Sequence, residues 1–140
     1  MSFKVDTVAR IYHEGKYIEL QKDPDFDTAA PELLKRRCES YEKDEPKTIE
    51  WIESFVDKSI FYDVGSNVGG YSFIASMIHK NIRIYSFEPN FINFYSQTKT
   101  CLKNNIKNVF SFNLAINKEN TFDYFKYDAV NNGSKGNFGE

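Results

Sequence analysis

The stretch DVGSNVGG at positions 63–70 constrains this chain more than any other. It closes a short apolar run, Ile60-Phe61-Tyr62-Asp63-Val64, and opens a segment in which Val68, Tyr71, Ser72, Ala75 and Ile78 share one helical face. A buried strand that turns through glycines straight into a helix is the start of a βαβ unit. Gly65 allows a close approach of backbone to ligand, and Gly69 or Gly70 allows the helix to pack tightly on the strand.

The rest of the chain reads consistently with that unit. Ile82 to Phe87 is a second strand, and Asn90 caps a helix whose Phe91, Phe94, Tyr95, Thr98 and Leu102 are expected to be its buried stripe. Residues 109–115 alternate with period two as a third strand, and residues 121–127 offer a further short one. Strands alternating with helices imply an α/β fold with a parallel sheet and right-handed crossovers. Upstream, residues 1–30 are mixed and charged with weak periodicity, Pro31 opens a helix through Cys38, and a second helix starts near Asp44-Glu45-Pro46 with Asp as its cap. Its expected apolar face is Ile49, Ile52, Phe55 and Val56. Three regions follow: an N-terminal helical region over 1–58, a ligand-binding α/β core over 59–127, and a flexible Gly/Asn-rich end over 128–140.

Charge narrows the partners. The formal net charge is −2, without the basic balance expected of a protein that neutralises phosphates, so no nucleic-acid partner is expected. Lys99, Lys103 and Lys107 recur every four residues as the solvated side of a helix. No apolar run spans a bilayer and no segment resembles a signal peptide, so no membrane partner is expected and the chain reads as cytoplasmic. Cys38 and Cys101 form no metal or redox pair, and His13 and His79 lack partners at ligand spacing, so no metal site is expected. His79 suits the negative end of a helix.

The chemistry concentrates at two strand ends. Open parallel sheets bind ligands beyond the carboxyl ends of their strands. Glu88, in Ser86-Phe87-Glu88-Pro89-Asn90, follows the glycine turn at about the 20-residue separation expected of a carboxylate that accepts both ribose hydroxyls. A loop-facing carboxylate of this kind should matter for ligand affinity and little for stability. Turn and acid together point to an adenosine-containing ligand. A dinucleotide fingerprint requires glycine where Asn67 stands, and Asp63 places negative charge where a pyrophosphate would rest. S-adenosylmethionine, with an ammonium, a sulfonium and no phosphate, suits the turn better. A nicotinamide-dependent oxidoreductase is the disfavoured alternative, and a non-catalytic fragment or pseudoenzyme module is another.

At these residues the chain resembles the class I S-adenosylmethionine-dependent methyltransferases, most specifically the FkbM-type family, over residues 36–127. The likeness rests on Glu45-Pro46-Lys47-Thr48 with Trp51, on DVGSNVGGYS at 63–72, on SFEPN at 86–90, and on the run from Leu114 to Phe125. It implies a Rossmann-like fold, incomplete here at three to four strands. It also implies a cofactor site of Asp63, Gly65, Ser66, Asn67 and Gly69, with Glu88 at the ribose and Ala115 beside Leu114 near the adenine edge. Glu45 and Thr48 either close over the cofactor or are ordinary first-turn residues, and Tyr71 either touches the cofactor or packs. The resemblance implies O-methylation of a sugar or small metabolite, and no residue stands out as general base. The family's fold continues with further strands. The chain is therefore expected to be a fragment or truncation, inactive alone, with a free sheet edge prone to self-association.

Overall fold

The computed structural model describes residues 7–21, 31–122, 124–126 and 137–138. The expected βαβαβ unit is present. Strand β3 (Ile60–Val64) leads into helix α3 (Gly70–Ile78), strand β4 (Arg83–Phe87), helix α4 (Phe91–Lys103) and strand β5 (Val109–Phe112). The three strands are parallel in the order β3-β4-β5, with Phe61 opposite Ile84 and Ile84 opposite Val109. These three apolar residues, with Asp63, Ser86 and Ser111, face the helices. The alternate residues form the other face.

The N-terminal region departs from the helical expectation. Strands β1 (Thr7–His13) and β2 (Lys16–Gln21) form an antiparallel hairpin, followed by helices α1 (Pro31–Asp44) and α2 (Pro46–Glu53). The hairpin turns through Glu14 and Gly15, both at positive φ (45° and 75°), as a two-residue turn that matches the strand twist. Its buried residues, Ala9, Ile11 and His13 against Ile18 and Leu20, alternate strictly with the exposed Arg10, Tyr12 and Tyr17. That period-two pattern, ARIYH-EG-KYIEL, is legible once the Glu-Gly pair is taken as a turn. The hairpin lies against α1, α3 and α4, so α3 and α4 are held between it and the sheet.

Helix α3 is buried nearly all round, because it packs on the sheet, on α2 and on the hairpin at once. Phe73, Ile74 and Ala75 join Ile52, Ile82, Ile84, Ile11 and Leu20 in one core. Each of the larger side chains contributes about 1.5–3 kcal/mol by leaving water. Cys38 is a buried free thiol of this core. The thiol of Cys101 is pushed up to about 11 by burial. His79 ends α3, and its Nε2 donates to the Ile52 carbonyl at 2.8 Å, tying α2 to α3.

Two expected faces are corrected. Helix α2 buries Ile49 and Ile52 but ends at Glu53, leaving Val56 exposed and Phe55 half-buried, where its ring meets Trp51 and Phe61. Helix α4 does not bury its aromatic stripe: Phe91 is exposed and Leu102 is 78% exposed. It buries Asn93, Ser96, Gln97 and Thr100 instead. The neighbours of that face offer polar backbone. Thr100 accepts from the Gln21 N–H at 2.9 Å, Ser96 donates to the Gln21 carbonyl, and Asn104 binds both the N–H and the carbonyl of Glu19. Lys99 and Lys103 lie on α4 and Lys107 beyond its end.

The third strand is also shorter than expected. It stops at Phe112 because the Asn113 side chain, rather than the backbone, turns inward and donates to the carbonyls of Glu88 and Pro89, each at 2.9 Å. Of the expected 121–127 strand, β6 (Phe125–Lys126) pairs antiparallel with β7 (Asn137–Phe138) and does not join the parallel sheet. The flexible end expected over 128–140 lies otherwise outside the described residues.

Gln97 is the polar hub of the fold. Its Oε1 accepts from Ser86 at 2.8 Å and Ser111 at 3.1 Å, and its Nε2 donates to Ser66 Oγ at 2.8 Å and to the Asn67 carbonyl. It thus joins β4, β5 and the glycine turn from inside the core. Gln97→Leu, nearly equal in volume, should destabilise the chain by about 3 kcal/mol, since it orphans several buried polar groups at once. Chemical denaturation followed by circular dichroism measures this.

Candidate cofactor cleft at the glycine turn

The turn after β3 is built from three left-handed residues within five: Gly65 (φ 74°), Asn67 (φ 55°) and Gly69 (φ 87°). Asparagine is the residue that best tolerates this region after glycine, which explains Asn67 where a dinucleotide loop has glycine. At Gly69 a side chain is excluded twice over. Its conformation is strained for an L-residue, and a Cβ would lie 2.9 Å from the Phe73 ring and 3.1 Å from Gln97. Gly70 is the point of close approach to Tyr41, whose ring occupies the place a Cβ would need.

The turn's own N–H groups are already spoken for. Those of Gly65 and Ser66 donate to the Phe87 carbonyl at 2.9 and 3.1 Å, and that of Gly69 donates to the Ser66 carbonyl at 2.8 Å. The Asn67 N–H donates to Glu88 Oε2 at 2.7 Å. A pyrophosphate-binding loop must point free N–H groups at its ligand. Here four of them are satisfied internally, one by a carboxylate, and are not offered to a phosphate.

Glu88 is 6% exposed. Its second oxygen accepts the Asn90 N–H at 2.8 Å, and Asn93 adds a side-chain hydrogen bond. Burial pushes its pKa up, while the hydrogen bonds from Asn90, Asn67 and Asn93 pull it down, and burial prevails. The expectation of a loop-facing carboxylate without structural weight is therefore corrected. Glu88 clamps the end of β4 to the glycine turn, and a carboxylate's further lone pairs are what it has left for a ribose.

Asp63, on β3, is buried on the helix-facing side and accepts from Ser72 Oγ at 2.7 Å. Its pKa is raised by burial, partly offset by the side-chain and backbone hydrogen bonds from Ser72. Beside it opens a cleft of about 290 Å³, lined by Asp63, Gly65, Ser66, Asn67, Gly70 and Tyr71, and by Tyr41, Asp44 and Glu45 from the helices. The structure thus brings Asp63, Gly65, Ser66 and Asn67 to one wall, with Gly69 and Glu88 supporting the turn from behind. Ala115 stands apart, exposed on the chain beyond β5 and outside this lining, and Leu114 is exposed next to it.

The two open alternatives are decided in part. Glu45, not Asp44, holds the cap position of α2, and its side chain makes no capping bond, so its carboxylate is left to the cleft. Thr48 is not in the lining. Tyr71 is in it, its ring edge-on to Tyr41 with centroids 5.2 Å apart. Its phenol pKa is pushed up by burial first, then by the charges of Glu45, Asp63 and Asp44. The cleft is thus uniformly negative, and Tyr71 keeps its proton as a donor within it. Tyr41 and Asp44 were missed in the sequence because they reach the turn only through the packing of α1. The paired glycines at 69–70 are the one local sign that a bulky group must approach.

No family model matches the chain, and no curated protein matches it. Among solved structures it is similar to TYW2 from M. jannaschii in complex with AdoMet, at 12% identity and a TM-score of 0.50, over 76% of this chain and 42% of that one. It is also similar to precorrin-6y C5,15-methyltransferase from Geobacter metallireducens GS-15, at 21% identity and a TM-score of 0.47, over 64% and 44% of the two chains. A SAM-dependent methyltransferase from Aquifex aeolicus matches at 18% identity and a TM-score of 0.48, over 67% and 52%. This is a Rossmann-like methyltransferase fold. The chain spans about half or less of the length of these structures.

Glu88→Ala should lower stability by about 2–3 kcal/mol, because the Asn67 and Asn90 N–H groups lose a charged acceptor. Glu88→Gln, which keeps an acceptor oxygen and sheds the buried charge, should lose clearly less. Paired urea melts of the two variants check both the size and the order.

Proposed function

We propose that the cleft binds S-adenosylmethionine and that the chain is the cofactor-binding part of a methyltransferase. The observation that carries this reading is the pairing of a glycine turn, four of whose N–H groups are bonded internally, with a negative cleft. Those four are not offered to a phosphate, and Asp44, Glu45 and Asp63 attract a cation. That combination disfavours a nicotinamide dinucleotide and suits a ligand whose charge near the turn is an ammonium and a sulfonium. The names of the similar structures, including one in complex with AdoMet, support the same class.

When bound, the cofactor supplies a sulfonium methyl group for displacement by a nucleophile. The chain's own residues hold and shield it. Asp63, fixed by Ser72, and Glu45 would face a ligand ammonium, the Tyr71 phenol would offer a hydrogen bond, and the Tyr41 and Tyr71 rings would exclude water from one side. Positioning of this kind accounts for much of the barrier lowering in such displacements. The finer resemblance to the FkbM type rests on residues 45–48, 63–72 and 86–90, and with it goes the proposal of a sugar or small-molecule hydroxyl as acceptor. The negative rim at Asp44 and Glu45 supports that acceptor class over a polyanion.

The proposal is tested by calorimetry with S-adenosylhomocysteine and with NAD. S-adenosylhomocysteine should bind and NAD should not, and Asp63→Asn should weaken binding by at least about tenfold, the loss of one charged contact. The variant should not lower the Tm at neutral pH. A carboxyl whose folded pKa is raised contributes stability below its ordinary pKa and loses it as pH rises through the folded value. The wild type therefore loses at neutral pH a stability that the uncharged variant keeps, and the gap should close as pH falls toward about 4. Ligand affinity should run the other way, rising with pH as Asp63 ionises. NAD binding, or undiminished affinity in Asp63→Asn, would defeat the reading.

The free edge of the sheet supports a second proposal, self-association. Among the described residues β3 is paired on one side alone, and the sheet face away from the helices carries Ile60, Tyr62, Val64, Tyr85, Phe87, Phe110 and Phe112 in register. Tyr62, at the middle of the edge strand, is 60% exposed and stacks on Tyr85. An unprotected edge beside an apolar face invites strand pairing. Sedimentation velocity should show concentration-dependent association that Tyr62→Lys abolishes. A monomer at all concentrations would refute it.

A further inference from the structure

A second cluster of chemically capable side chains lies at the tip of the hairpin. His13 ends β1 and is 6% exposed. Three carboxylates from separate segments converge on its ring: Glu14 from the hairpin turn, Glu42 from α1 and Glu53, the last residue of α2. His13 Nε2 lies 3.7 Å from Glu53 Oε1, and one donor atom each from His13, Glu14 and Glu53 lie within 4.8 Å of one another. His13 Nδ1 stands 2.9 Å from Glu42 Oε1, yet out of line for a hydrogen bond, and it is buried without a partner.

The arrangement calls for a cation. Three carboxylates around one ring repel one another, and among the described residues no lysine or arginine pairs with Glu14, Glu42 or Glu53. A buried imidazole placed between two of them presents its Nε2 to the side where Glu14 and Glu53 gather. We propose that His13, Glu14 and Glu53 form a binding site for a divalent transition-metal ion. Glu42 faces the other ring nitrogen.

The donor set selects the ion. One imidazole nitrogen with two carboxylate oxygens disfavours Mg2+ and Ca2+, which take oxygen ligands, and suits Zn2+. Tetrahedral ligands at about 2.0–2.2 Å from Zn2+ stand roughly 3.4 Å apart, so the His13–Glu53 separation is close to that required. Glu14 and Glu53 are exposed and free to close the remaining gap by rotamer change. Glu42 lies 2.9 Å from the far ring nitrogen, and a small turn of the ring that brought that N–H into line would orient the histidine as a ligand and raise its basicity. Sequence spacing hides this site, because Glu42 and Glu53 reach His13 only through the docking of α1 and α2 on the hairpin. The ion would join the hairpin tip to both helices whose residues Tyr41, Asp44 and Glu45 wall the cofactor cleft. The site does not depend on the identity of that cofactor.

The test uses the full chain after chelator treatment, titrated with Zn2+ in a calorimeter and melted with and without the ion. One equivalent should bind, and Zn2+ should raise the Tm. Mg2+ at the same concentration should do neither. His13→Gln and Glu53→Gln should each weaken Zn2+ binding at least tenfold and remove the Tm rise, whereas Glu50→Gln, on α2 outside the cluster, should change neither. Circular dichroism checks that the variants fold. Should His13→Gln not fold, the exposed Glu53→Gln decides the matter alone. Absence of saturable Zn2+ uptake, equal uptake of Mg2+, or full Zn2+ binding in Glu53→Gln would overturn the proposal.

Discussion

The fold depends on a buried polar clamp across the carboxyl ends of β3 and β4. Glu88 reaches from the end of β4 to the Asn67 and Asn90 N–H groups, and Gln97 reaches from α4 to Ser66, to the Asn67 carbonyl and to two strand serines. A turn with three left-handed residues has little intrinsic preference for one shape. It is held because nearly every polar group it exposes to the interior meets a partner from another element. The same bonds occupy the N–H groups of Gly65, Ser66, Asn67 and Gly69, so the interactions that fix the shape of the turn also withhold those groups from an anion. Glu88 thereby carries structural weight that a simple surface carboxylate would not.

The two faces of the parallel sheet are treated unequally. One is sealed by α3 and α4, which are covered in turn by the hairpin. The other presents stacked aromatic rings from all three strands, among them Phe87 on Phe112 at 5.3 Å. Parallel sheets are normally covered on both faces. The exposed aromatic face and the free β3 edge adjoin, so a single association can satisfy both the apolar surface and the unpaired backbone. Burial of carboxylates on the sealed side has the opposite logic: Asp63 costs stability where it sits and is retained in a cleft where a cation would repay it.

The element order from β3 to β5 was legible because each strand is a short apolar run and each helix follows a turn signal. The site was legible for the same reason. Asp63, Gly65, Ser66 and Asn67 are consecutive or nearly so, and a strand-to-helix turn places consecutive residues together. Burial on α4 was not legible. The sequence shows where apolar residues recur, and the aromatic stripe of that helix is real, but the face that turned inward is the one matching the backbone groups of β2 and the serines of β4 and β5. Tertiary hydrogen bonding overrode hydrophobic periodicity there.

The sequence by itself determined the parallel α/β unit, the place of the glycine turn within it and the position of its two carboxylates relative to the strands. Those are local matters, set by dihedral freedom and by period-two or helical spacing over a few residues. Tertiary structure alone decided which side chains come from afar: Tyr41 and Asp44 at the cleft, Glu42 and Glu53 at His13, Gln97 at the centre of the clamp. Each belongs to a helix whose docking depends on what other elements offer to its buried face, and that pairing is a property of the packed chain rather than of any segment. The burial of Glu88 belongs to the same class, since the carboxylate is drawn inside where the glycine turn and the start of α4 both bring N–H groups to meet it.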